Sequence, residues 1–187
     1  MMKSQSAVVV NEIQKRMDGI KELTEEYLNS HFGEDMETFN RQWNHPDVKP
    51  LDISLVWNFQ DRPDITRSEY TGRVQQVFVP FNRILYHLGN ITEHAKTSAN
   101  TIQSTDKQAV ASIRSGIKKR LNSVLCPMYQ YLAMADRDLH IETAQEIDQH
   151  AHNSISLEEE VECGLLFVYL TKTMDWFFIS SQLFANS

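Results

Sequence analysis

The segment from Val161 to Phe184 constrains the fold more than any other part of the chain. On a helix turning about 100° per residue, Val161, Leu165, Tyr169, Trp176, Ile179 and Leu183 share one side. Leu166, Leu170, Phe177 and Phe184 lie on another, and Phe167, Met174 and Phe178 fill much of the remainder. A helix that is apolar almost all round has to be surrounded, by protein or by lipid. Glu162, Lys172, Asp175 and Gln182 interrupt it and would be expensive at a bilayer centre, so no membrane span is expected. The surround is then the rest of the chain, or in part a second one. Aromatic side chains are enriched among interface anchors, which makes Trp176, Phe177, Phe178 and Phe184 candidate partner-binding residues.

The rest of the chain can supply that surround. Its 187 residues suit a single domain spanning 1–187. Only 6 Gly and 5 Pro are present, too few turn formers for a many-stranded sandwich or barrel, so the expected class is all-α. Helical periodicity places Val9, Val10, Ile13, Met17, Ile20, Tyr27 and Leu28 on one face of a helix over 6–31. Gly33 supplies its stop, and Asp35 caps a short helix bearing Met36, Phe39 and Trp43. Residues 51–60 alternate apolar and polar, which predicts a short extended segment, with 73–79 as the one possible hairpin partner. Against that hairpin, Thr66-x-x-Glu69 is a capping box opening a helix over 67–102, bent at Pro80. Further helices are expected from Thr105 to about Ala135 with a kink at Pro127, over 137–152, and over 157–185 behind the capping box Ser156-x-x-Glu159. The predicted architecture is an irregular bundle of about six helices around the hydrophobic C-terminal one.

Net charge and cysteine usage narrow the function classes. A formal charge of -7 repels phosphate backbones, which disfavours general nucleic-acid binding. Cys126 and Cys163 have neither CxxC spacing nor the density of a disulfide scaffold, and the N-terminal apolar run Ala7–Val10 is short for an export signal. A cytoplasmic setting is expected.

Four polar constellations bear on chemistry. Arg83, His87, Asn90 and His94 recur at helical spacing on the side opposite the apolar face, as a solvated stripe suited to a partner. Arg83, His87 and His94 are therefore further candidate partner-binding residues. Their Arg–His spacing is tighter than the motif of the helical HEPN ribonucleases, so that activity does not carry over. Asp136, Asp138, His140, Glu142, Glu146, Asp148, His150 and His152 mix carboxylates with imidazoles, and Asp136/His140 and Glu146/His150 are i,i+4 pairs that could chelate a divalent ion. His140 is expected to be a hydrogen-bonded core residue. Glu158, Glu159 and Glu162 match the opening of an acidic magnesium motif whose second half is missing, and they suit a helix N-terminus. Arg114, Lys118, Lys119 and Arg120 form the densest basic run, wrapped around a helix.

No catalytic residue and no cofactor is assigned. The favoured function is a non-enzymatic adaptor, inhibitor, immunity factor or assembly subunit that binds another protein or, as a homo-oligomer, itself. The alternative is a metal-dependent helical enzyme using His140, His150 or the pair His87 and His94 with neighbouring carboxylates.

Overall fold

The computed structural model describes residues 2–43, 66–98, 105–152 and 159–185, with side chains described over 5–43, 66–89, 108–149 and 159–175. Every regular element among the described residues is helical: α1 (Met2–Met17), α2 (Ile20–Phe32), α3 (Met36–Trp43), α4 (Arg67–Ser98), α5 (Thr105–Met134), α6 (Ala144–His152) and α7 (Glu159–Ala185).

The single helix expected over 6–31 is broken into two, which gives seven helices among the described residues rather than about six. Gly19 is left-handed at φ 89°, a conformation that glycine alone adopts without steric cost. A β-carbon there would stand 2.7 Å from Cζ of Arg120, so the glycine also makes room for that guanidinium. Arg120 Nη1 donates to the Asp18 carbonyl at 2.5 Å, while Arg16 Nη1 donates the other way, to the Ser123 carbonyl, at 2.9 Å. The apolar face survives the break. Val9, Val10, Ile13, Met17, Ile20, Tyr27 and Leu28 are all buried.

Local signals fix most of the other ends. The N–H of left-handed Gly33 donates to Asn29 O at 2.9 Å, and Asp35 Oδ1 accepts the Thr38 N–H at 2.7 Å. Thr66 and Glu69 form the reciprocal box, with Thr66 N donating to Glu69 Oε2 (2.8 Å) and Glu69 N to Thr66 Oγ1 (3.2 Å). Residues 73–79 lie inside α4, which overturns the hairpin; its other half, 51–60, lies outside the described residues, as does the Ser156 cap.

The helix expected over 137–152 is corrected to α6 alone, nine residues long. α5 ends in a Schellman turn, with Asp136 left-handed at φ 57°, Asp136 N donating to Ala133 O and Arg137 N to Leu132 O, both at 3.1 Å. The chain then crosses without helix to a second capping box. There Thr143 N donates to Glu146 Oε2 at 2.7 Å and Glu146 N to Thr143 Oγ1 at 3.3 Å.

Cross-helix contacts give the chain directions. Thr24 meets Thr171 and Tyr27 meets Glu160, so α2 and α7 are antiparallel. α5 runs against α1 and α2 (Arg16 with Ser123, Tyr27 with Arg114) and against α4 (Tyr70 with Tyr131, Gly89 beside Lys118). α4 opposes α7, through Phe81 with Tyr169 and His87 with Glu162. The order is therefore up, up, down, down, counting α1 and α2 as one arm, and two long crossovers carry α3 and α6.

α7 is the surrounded element. Val161, every residue from Cys163 to Thr171, Thr173 and Met174 are buried, and α1, α2, α3 and α4 all pack against it. Fully burying each of Leu165, Leu166, Phe167 and Leu170 contributes roughly 1.5–3 kcal/mol. Thr171 and Thr173 enter this apolar setting by donating to the carbonyls one turn back, Phe167 O at 3.0 Å and Tyr169 O at 2.8 Å. No helix among the described residues is long and apolar enough to cross a membrane.

Candidate functional site

Three places on this bundle bring chemistry-bearing or interaction-bearing side chains together. The first is the outer face of α4, where a solvated stripe was expected. Arg83 is instead only 14% exposed, clamped by Glu142 at 11%. Its Nε and Nη2 reach the two carboxylate oxygens at 2.6 and 2.5 Å, the fork geometry that makes such pairs strong. The expectation failed because the crossover after α5 folds back over α4, which no periodicity within α4 could reveal. His87 is likewise covered, with Nε2 3.5 Å from Glu162 Oε1 but without hydrogen-bond geometry. His94 continues α4, and its side chain lies outside the described residues.

The second place is the first turns of α7. Tyr27 donates its hydroxyl proton to Glu160 O at 3.0 Å and accepts from Arg114 Nη2 at 3.3 Å. Arg114 also pairs with Glu159 at 3.1 Å and lies 5.7 Å from the centre of the Tyr27 ring. Burial pushes the Tyr27 phenol well above its ordinary range. It also pushes the Cys163 thiol up to about 12, with Arg114 opposing, so both groups stay protonated near neutrality. A protonated phenol and thiol beside an engaged arginine stitch helices together; they do not form an activated nucleophile. Glu159 and Glu162 thus serve helix packing, as two members of the acidic motif at the start of α7.

Among the described residues, the histidine and carboxylate cluster does not converge. His140 is exposed rather than buried, because its stretch is not helical, and it bonds Glu146 at 3.1 Å. No group of three or more His, Cys, Asp or Glu able to hold a metal occurs among the described residues. The side chains of His150 and His152, on α6, lie outside them. The basic run is also divided. Arg114 points to Tyr27, Lys118 to Gly89 and Arg120 to Asp18, so three of its four cations serve different seams.

The third place was not anticipated. Gln5, Val8 and Val9 of α1 and Gln130 and Met134 of α5 line an open groove of about 360 Å³. Val8 is 60% and Met134 44% exposed, and Tyr129 beside Gln130 is exposed as well. A signal was present: the run Ala7–Val10 is wider than one buried stripe, so one of its valines had to face outward. The Lys21–Asp175 pair, at 3.9 Å, marks where antiparallel α7 passes from α2 to α1. The turns carrying Trp176, Phe177, Phe178 and Phe184 therefore run beside α1, toward the end of the bundle that holds the groove, and their side chains lie outside the described residues.

Compared with family models, curated proteins and solved structures, the chain matches none.

Proposed function

We propose that the chain is a non-enzymatic helical protein that works by binding another protein or a second copy of itself, in the manner of an adaptor, inhibitor or assembly subunit. The binding end is the one that holds the α1–α5 groove. The observation that carries this reading is that Val8 and Met134, two of the four exposed large apolar side chains among the described residues, line the same groove. Contiguous exposed apolar side chains mark contact sites more often than isolated ones do. The candidate aromatics Trp176, Phe177, Phe178 and Phe184 belong to the helix that runs toward the same end. Supporting it from the other side, the Arg83, Arg114 and Tyr27 groups that chemistry would use are engaged in pairs that hold helices together. A cytoplasmic setting belongs to the same proposal, since Cys126 and Cys163 are both free thiols.

The test is photo-crosslinking in the native cell with a benzophenone amino acid placed at Val8, and at exposed Glu26 as a control. A discrete adduct, to another protein or to the chain itself, is expected from position 8 and not from position 26. Equal or absent adducts at the two positions would overturn the proposal.

A further inference from the structure

We propose that residues 135–149 form a strap that opens from α4 as a unit while the bundle beneath stays folded, and that Arg83 and Glu142 are its latch. The proposal is independent of what binds the groove. The strap leaves α5 at the Schellman turn and sends a single side chain, Ile147, fully inward: 135–138, His140, Ile141 and 143–145 are exposed, and Leu139 and Glu142 are half-buried. Its contacts with the bundle include the Arg83–Glu142 clamp, a bond from Gln75 Nε2 to Asp138 O at 3.1 Å, and Tyr86 Oη 3.5 Å from Asp148.

Its apolar anchoring is separate from the main core. The buried apolar side chains of α1 to α5 and α7 form one continuous cluster, and Leu139 only packs at its margin. Ile147 is buried on α6 and, among the described residues, is not a member of that cluster. Segments held by few buried apolar contacts and exposed hydrogen bonds open at lower free energy than the whole domain.

Two features make the opening a two-state step. The Thr143–Glu146 box and the His140–Glu146 bond lie wholly within the strap and tie nothing to the bundle, and the nine-residue helix that they cap is too short to stay formed alone, so its amides exchange once it is released. The clamp, by contrast, holds both charges largely out of water. Closed, they satisfy each other through two charge-assisted bonds; open, both are hydrated, and a half-open state strands one of them. Opening bares Arg83, Gln75 and Tyr86 along the outer side of α4.

Hydrogen exchange read by mass spectrometry on the full chain tests this. With Glu142→Gln, exchange across 137–149 is expected to quicken by about tenfold or more while peptides from 113–132 and 161–174 keep the wild-type rate. The exchanged pair Arg83→Glu with Glu142→Arg is expected to restore protection of the strap. If Glu142→Gln fails to fold, Arg83→Lys, which keeps the charge and loses the fork, gives the same local quickening to a smaller degree. Quickening of the whole chain together would overturn the strap as a separate unit. Unchanged exchange over 137–149, or no restoration by the exchanged pair, would overturn the latch.

Discussion

The ring of Phe39 occupies the place that a side chain at position 164 would need. A β-carbon on Gly164 would stand 2.5 Å from Phe39 Cζ and 3.0 Å from Cε1, and the ring is fully buried against Phe32, with centroids 4.9 Å apart. This contact lets the short helix α3 close one side of α7. In an exposed helix interior, replacing glycine by alanine contributes about 1 kcal/mol. At position 164 the overpacking costs about 1–3 kcal/mol and wins. Gly164→Ala is therefore expected to lower the urea midpoint. Gly72→Ala, in α4 with nothing within 4 Å of its β-carbon, is expected to raise it. Phe39→Leu should relieve part of the Gly164→Ala loss, as non-additivity in a double-mutant cycle.

The two thiols should react on very different timescales. Cys126 is exposed, whereas Cys163 is buried in α7 with its thiol pushed up to about 12 by burial. A thiol-reactive chromogenic disulfide at mildly alkaline pH should titrate one group per native chain promptly and the second only on addition of denaturant. Prompt reaction of both would show that the first turns of α7 open readily.

Acid should weaken the caps before it weakens the core. The backbone N–H of Thr38 holds the Asp35 carboxyl below its ordinary range, and the N–H of Thr143 with His140 does the same for Glu146. A carboxylate depressed in the folded state stabilises it above the unfolded pKa, near 4, and that stabilisation is lost as pH falls toward the folded value. Melting temperature is thus expected to decline from about pH 5 downward, in the window where such carboxylates take up protons. Asp35→Asn keeps a capping oxygen but removes the titration. Its decline should be shallower than that of the wild-type chain in melts recorded across pH, and an identical slope would remove Asp35 as a contributor.

Helix positions and the central place of α7 were legible because they depend on neighbours in sequence. The boxes at Thr66 and Asp35, the Gly33 stop and the all-round apolar pattern after Val161 each act within a few residues. The break at Gly19 was only half legible: a glycine inside a helical pattern marks where the chain can turn, but the side chain it makes room for, Arg120, lies about a hundred positions away on another helix. The site suffered most for the same reason. Arg83 lies on the polar side of its own helix, and only the path of the 135–143 crossover turns that side into a covered one. Thr143-x-x-Glu146 was a readable capping box and would have put the start of α6 where it stands.

Placing the surrounded helix after six others sets the order of events during synthesis. As the chain leaves the ribosome from its N-terminal end, α1 to α4 emerge with faces shaped for a helix that has not yet been made. Tyr27, Phe39 and Phe81 then stand bare toward solvent until the stretch around Phe167 and Tyr169 arrives to cover them. Covering of these three side chains therefore waits for the last of the described helices, at the far end of two long crossovers.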